Sequence, residues 1–254
     1  MSFSALYPSL RDRVVLVTGG ATGIGACLVE NFAAQGARVG FIDIDVNAGL
    51  ALAERLAGSA HAPLFLETDL TDIAALDRAV AQVRERFGPI RVLLNNAAND
   101  RRHTIQETTS DAWDASVAVN LKHQFFAARA VCEGMREAGG GSIVNFGSMS
   151  WMAKQAGLPV YETCKAAVQG LTRSLARELG PANIRVNTLV PGWVMTDKQL
   201  RLWVDDAGRA EIARNQCINQ PLQPEHIAAM ALFLAADDSA MCTAQDFIVD
   251  GGWV

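Results

Sequence analysis

Cysteine, tyrosine and histidine are scarce in this chain of 254 residues, which has five, two and four of them. Cys27, Cys132, Cys164, Cys217 and Cys242 lie far apart, with no CxxC pair and no histidine at metal-ligand spacing. That pattern excludes a disulfide frame and a metal site and leaves reduced thiols. No uninterrupted apolar run approaches the length of a membrane span. The opening "MSFSALYPSLRDR" also lacks a basic stretch followed by an apolar one, so a cytoplasmic protein that is neither exported nor membrane-bound is expected. Excess positive charge is missing too. The formal net charge is -5 with a pI near 5.4, and Lys and Arg are scattered instead of forming a stripe. This excludes nucleic acid as the partner and points to a small molecule. No Pro/Ser-rich linker or compositional break divides the chain. With 50% hydrophobic residues, one domain over 1–254 with an ordinary core is expected.

What is present is an alternation of short β-branched runs with longer helical stretches. The runs are "RVVLVT" (13–18), "RVGFID" (38–43), "PLFLET" (63–68), "RVLLNN" (91–96), "SIVNFGS" (142–148), "IRVNTLV" (184–190) and "DFIVDG" (246–251). Several are almost continuously apolar, as strands covered on both faces must be, and the segments between them are long enough for helical crossovers. The expected fold class is α/β, a doubly wound, seven-stranded parallel sheet with helices on both faces. Residues 193–223 interrupt the alternation before a helix near 224–236 and carry Trp193, Met195, Leu200, Leu202 and Trp203. An insertion after a strand's carboxyl end is well placed to be a substrate lid.

The first strand runs into "TGGATGIG" (18–25) and then a helix. A glycine-rich strand-to-helix turn lets bare backbone approach a pyrophosphate and aims helix N–H groups at it. Gly19, Gly23 and Gly25 are spaced G-x-x-x-G-x-G, which departs from the common G-x-G-x-x-G expression. Asp43 ends the second strand, about 20 residues beyond the turn, where a carboxylate accepts hydrogen bonds from ribose hydroxyls. Asp45 is either a solvated loop carboxylate or a partner in that role. A 2′-phosphate would meet this negative charge, and residues 18–25 hold no Lys or Arg to compensate. NAD is therefore favoured, with NADP second. Asp69 and the run Asn95, Asn96, Ala97, Ala98 fall at the ends of the third and fourth strands, the edge where open α/β sheets bind ligands. Asn120 sits inside a predicted helix over 110–138, where its residue type is mildly unfavourable, so either a specific hydrogen bond or plain solvation holds it there.

Over 160–179, Cys164, Val168, Leu171, Leu175 and Leu179 keep three- and four-residue spacing, which predicts an amphipathic helix. Tyr161 and Lys165 then share a face one turn apart. A phenol with a pKa near 10 needs roughly 4 kcal/mol of preference for the phenolate to titrate near 7. A neighbouring ammonium and a positively charged nicotinamide both favour that anion, and a phenolate so tuned is a general base for an alcohol proton. Ser148, at the end of the fifth strand, lies thirteen residues before Tyr161.

Taken together, T-G-x-x-x-G-x-G at 18–25, the N-N-A-A element at 95–98, Asn120, Ser148, Y-x-x-x-K at 161–165 and "PG" at 191–192 with Thr196 resemble the short-chain dehydrogenase/reductase family over about residues 12–252. The resemblance implies a Rossmann-like fold and a catalytic set of Asn120, Ser148, Tyr161 and Lys165. Ser148 would hold the substrate oxygen, Tyr161 would transfer its proton, Lys165 would lower the Tyr161 pKa and bind the nicotinamide ribose, and Asn120 would support a water leading to solvent. The implied cofactor contacts are Gly19, Thr22, Gly23, Ile24, Gly25, Asp43 with Ile44, and Asp69 with Leu70. They continue with Asn96, Ala97, Ala98, Pro191, Gly192, Val194 and Thr196, together with Tyr161 and Lys165. Ala98 departs from the glycine usual at that place.

Within the family, "NDRRH" (99–103), "NFGSMSW" (145–151), "LPVYET" (158–163), "VPGWVMT" (190–196) and the run "DGGW" (250–253) look like bacterial aldose 1-dehydrogenases of the D-xylose, L-arabinose or D-galactose type. Asn99, Trp151, Gln155, Trp193 and Gln199, with Ser148 and Tyr161, are the candidate substrate residues, since indoles suit a sugar's apolar face and amides its hydroxyls. A sugar alcohol, a hydroxy acid or a 3-oxoacyl thioester stays open as substrate. Small residues at Thr163, Ala166, Ala167, Gly170 and Ser174 form a stripe that suits either a second helix or packing on the chain's own sheet, and the resemblance implies a homotetramer.

Overall fold

The computed structural model describes residues 5–254; Met1–Ser4, the start of the segment read for a leader, lie outside the described residues. Seven strands form one parallel sheet in the order β3-β2-β1-β4-β5-β6-β7. They are β1 (Val14–Thr18), β2 (Arg38–Asp43), β3 (Leu64–Glu67), β4 (Val92–Asn95), β5 (Gly141–Phe146), β6 (Ile184–Pro191) and β7 (Asp246–Val249). Each matches one of the seven runs, with ends shifted by one or two residues. The sheet is doubly wound and Rossmann-like, because the order reverses between β1 and β4.

Burial on both faces explains the apolar runs. Val15 and Val17 of β1 point into a core shared with α1 (Gly23–Ala34) and α9 (Pro224–Ala235). Val14 and Leu16 point into the opposite core, with α3 (Ile73–Phe87), α5 (His123–Glu137) and α6 (Pro159–Leu179). All five β1 residues are buried. Fully burying such side chains contributes about 1.5–3 kcal/mol each, so the central strands anchor the sheet and hold its carboxyl edge in place.

Side-chain caps start two of the helices that flank that edge. Asp45 accepts from the Ala48 N–H at 3.0 Å and caps α2 (Val46–Arg55), a role that neither of its two readings named. Asp72 caps α3 through the Ala74 and Ala75 N–H groups at 2.9 and 3.1 Å. The helix expected over 110–138 is interrupted. It consists of α4 (Ser110–Val117), a π-helical turn (Ala118–Lys122) and α5. Residues 193–223 form α7 (Asp197–Leu202) and α8 (Asp206–Asn215), and a bridge between Val194 and Leu222 brings the two ends of the segment together. No described helix is long and apolar enough to cross a membrane.

Candidate active site

A cavity of about 1430 Å³ opens at the carboxyl edge, walled by the loops that follow β1 to β6. Its first wall is the glycine turn. Gly19 and Gly23 have φ of +64° and +55°, a backbone region that side chains disfavour. A Cβ on Gly19 would lie 2.7 Å from Ala97 Cα, and one on Gly25 would lie 1.8 Å from the Gly19 carbonyl oxygen. The turn must therefore be bare backbone. Thr22 makes no side-chain cap to α1, so the helix's first N–H groups face the cavity without an internal acceptor. An anionic pyrophosphate fits this cradle. Thr22 and Ile24 line it with the three glycines.

Asp43 stands next to the cradle and braces it, since its carboxylate accepts from the Ala21 N–H at 2.9 Å and the Asp45 N–H at 3.1 Å. Ile44 beside it is 71% exposed. Asp69 and Leu70 continue the same wall. Asn96, Ala97 and Ala98 line the cavity from the β4 loop, but the Asn96 amide is spent internally, donating to the Thr18 and Gly19 carbonyls at 3.1 and 2.9 Å. Its role is to fix the cradle, with Ala97 N–H held by the Thr18 hydroxyl at 3.1 Å. Pro191, Gly192, Val194 and Thr196 complete the lining from β6.

A buried polar ladder registers the catalytic helix against the sheet. The Asn95 amide donates to Asn145 Oδ1 at 2.9 Å, the Asn145 amide to Thr172 Oγ1 at 3.0 Å, and the Thr188 hydroxyl to Thr172 Oγ1 at 2.9 Å. The ladder joins β4, β5, α6 and β6, so α6 can neither slide nor rotate without stranding buried polar groups. Tyr161 and Lys165, on the first turns of α6, are brought to the cavity together with Ser148. The Lys165 ammonium, 1% exposed, lies 5.6 Å from the Tyr161 ring centre and donates to the Phe146 carbonyl at 2.8 Å. Burial brings its pKa down to about 8. Burial also raises the Tyr161 phenol above its ordinary range, while its hydrogen bond with Ser148 pulls the other way. In the free protein desolvation thus outweighs the Ser148 bond, and the downward tuning expected from Lys165 is not seen. Ser148 is itself oriented by Ser150, whose N–H donates to Ser148 Oγ at 3.2 Å.

Three candidates sit differently from expectation. Asn120 does not line the cavity; its Oδ1 accepts from the Asn99 N–H at 2.8 Å and its amide donates to the Asn99 carbonyl and Ser116 Oγ, both at 3.1 Å. Its side chain pins the β4 loop. Trp151 is also off the wall, because the tight turn after Ser150, closed by Ala153 N–H to the Met149 carbonyl at 2.9 Å, turns it aside. Gln199 is on the wall but engaged at both ends. Its amide donates to Asp100 Oδ2 at 2.7 Å and its Oε1 accepts from Trp193 Nε1 at 3.0 Å. Asn99 and Gln155 line the cavity as expected, and the Gln155 side chain makes no hydrogen bond to protein among the described residues.

Two wall residues escaped the sequence reading. Asp100 pairs with Lys198 and Gln199 across a separation of 98 and 99 positions, a contact without local signature. Burial works to raise its pKa, but the Lys198 and Gln199 bonds outweigh this and hold the carboxyl below its ordinary range. Trp253, in the "DGGW" run, also lines the cavity. Among the described residues no group of three or more His, Cys, Asp or Glu is arranged to hold a metal ion.

A family model described as Enoyl-(Acyl carrier protein) reductase matches residues 19–254. The chain is 47% identical over 250 residues to a probable galactose dehydrogenase of Rhizobium meliloti, covering 98% of each chain. It is 45% identical to a D-xylose 1-dehydrogenase of Caulobacter vibrioides, covering 98% of this chain and 99% of that one. Among solved structures, a short-chain type dehydrogenase/reductase from Mycobacterium ulcerans superposes with a TM-score of 0.92 at 28% identity, covering 96% of this chain and 90% of that one. A blue fluorescent protein from a metagenomic library, in complex with NADPH, superposes with a TM-score of 0.89 at 32% identity, covering 97% and 99%. With the glycine cradle, Ser148, Tyr161 and Lys165 gathered around one cavity, the chain belongs to the short-chain dehydrogenase/reductase family of nicotinamide-dinucleotide-dependent oxidoreductases.

Proposed function

We propose that the protein is an NAD-dependent aldose 1-dehydrogenase that oxidises the anomeric carbon of a sugar to an aldonolactone. The observation that carries the reading is the convergence of Ser148, Tyr161 and Lys165 on the cavity that also holds the glycine cradle. The bound nicotinamide supplies the hydride acceptor. Tyr161 takes the anomeric hydroxyl proton as general base, Ser148 orients that oxygen, and Lys165 supplies positive charge beside the phenol. Because burial raises the Tyr161 pKa in the free protein, its base form belongs to the cofactor-loaded state. Asn120 is a positioning residue, fixing the loop that carries Asn99.

Cofactor choice rests on Asp43. Its carboxylate lies on the wall beside the cradle, and residues 18–25 offer no cation to meet a 2′-phosphate. NAD is the first cofactor and NADP the second. The α7–α8 segment is the substrate lid of a single-domain enzyme, held to the β4 loop by Asp100 and Lys198. A homotetramer would use α4, α5 and α6, where Trp113 and Phe125 are 42% and 44% exposed.

The experiment is initial-rate absorbance at the reduced-nicotinamide band, with NAD and NADP tested separately against aldoses, sugar alcohols and hydroxy acids. Saturable NAD reduction with one or two aldoses is expected. Turnover confined to another alcohol class would keep the catalytic set and overturn the substrate.

A further inference from the structure

Trp253 follows β7 in a segment held in place from several sides. Asp250, 4% exposed, accepts from the Gly252 N–H at 2.7 Å and the Val254 N–H at 2.9 Å. Gly251 and Gly252 take φ of +73° and +83°, and the Ile218 N–H donates to the Gly251 carbonyl at 3.0 Å. The segment is therefore fixed by hydrogen bonds and turn geometry. It brings the Trp253 indole against Trp193, with ring centres 6.4 Å apart and planes at 53°. Met195, Val204 and Ile212 pack against the pair from the lid side.

Both indoles line the cavity and both are only half-buried. Tilted rings at this separation do not cover one another, so neither indole is hidden from the cavity by the other. Trp193 cannot offer its N–H, which is bound to Gln199 Oε1. Gln199 is oriented in turn by Asp100, and Asp100 is held by Lys198. A chain of three contacts thus sets the angle of Trp193, while Asp250 sets Trp253. Gln155, with its amide uncommitted, supplies polar capacity in the same cavity.

We propose that Trp193 and Trp253 form an aromatic corner that takes the apolar C–H face of the substrate's sugar ring. Trp253 is a specificity-determining residue, and Asp100 is a positioning residue acting through Gln199. Stacking by an indole face needs no polar atom from the ring, which fits a site where the Trp193 N–H and the Gln199 amide are already spent. The proposal rests on the carbohydrate reading above.

The deciding variant is Trp253→Leu, which keeps apolar bulk against Met195, Val204 and Ile212 and removes the flat face; Trp253→Phe keeps a smaller face. With the aldose that wild type uses best, W253L is expected to raise KM about tenfold with kcat within about threefold, and W253F to keep KM within about threefold. The NAD dissociation constant, from fluorescence titration, stays within about twofold in both. An unchanged KM in W253L, or a KM rise matched by weaker NAD binding, would overturn the corner while leaving aldose oxidation standing. A wild type that turns over no aldose overturns the carbohydrate reading itself, and the sugar platform with it. Asp100→Asn is expected to raise the same KM with no change in NAD affinity, and an unaltered KM there removes Asp100 from the account.

Discussion

Tyr161 meets two opposing influences. Burial favours the neutral phenol, while the Ser148 hydrogen bond favours the phenolate. In the free protein burial wins, so the group waits protonated until positive charge arrives with the cofactor. Tyr161→Phe removes the oxygen assigned to accept the alcohol proton and leaves the cradle, Asp43 and Asn96 untouched. Turnover is expected to fall by about 10²–10⁴-fold, the usual worth of a general base, with NAD affinity unchanged. Turnover retained within tenfold in steady-state assays would remove Tyr161 from the base role. Its place beside Lys165 was legible in five residues, because i and i+4 on a helix share a face, but its role in the chemistry was legible only once Ser148 and the glycine turn were set beside it. The fate of Gln199 was not. Whether an amide serves a ligand or the protein depends on what reaches it in space, and Asp100 reaches it from 99 positions away.

Among the elements, all seven strands were visible in the sequence, the central ones because a sheet covered on both faces demands unbroken apolar runs, as in "VVLVT", although the edge strands β3 and β7 are only partly buried. The π-helical turn at Ala118–Lys122 was not visible, since one widened turn is too short to register in the apolar periodicity of the helices around it. Asn120 was the one clue, an ill-suited residue whose amide the turn aims at the Asn99 backbone. On α6 the sequence left two readings of the small-residue stripe. Thr163, Ala167, Gly170 and Ser174 are exposed and a Cβ on Gly170 would meet nothing within 4 Å, so the stripe does not pack on the chain's own sheet. If it seats a second copy, Gly170→Arg should be harmless in the monomer and intolerable between closely packed helices. Sedimentation velocity is expected to give a tetramer for wild type and a smaller species for G170R. A wild-type monomer would refute the assembly.

For the molecule as a whole, the response to acid follows from one buried histidine. His123, at the start of α5 directly after the π-helical turn, is fully buried, and neither ring nitrogen makes a full hydrogen bond, although the nearby Val119 backbone favours the charged ring. Burial first, and the nearby Lys165 charge second, push its pKa down to about 3. In the unfolded chain the same imidazole titrates near 6.5. Between these values the unfolded state binds a proton that the folded state refuses, so stability falls as pH drops from about 6.5 toward 3, by up to about 1.4 kcal/mol per pH unit. Above pH 7 the group is neutral in both states and contributes no slope. Asp12, Asp100, Glu107 and Asp237 also have pKa values below their ordinary range, and they too lose stability on acidification. Their unfolded values lie near 4, however, so the loss between about pH 6.5 and 5 belongs to His123, while Glu162, whose pKa burial raises, works in the opposite direction. Urea unfolding at fixed protein concentration should therefore show wild type losing about 1 kcal/mol between pH 7.5 and 5.5. His123→Leu fills the same buried space without a titrating group or a stranded nitrogen, and its midpoint should stay level over that interval. Equal losses in the two proteins would mean that the acid response arises elsewhere.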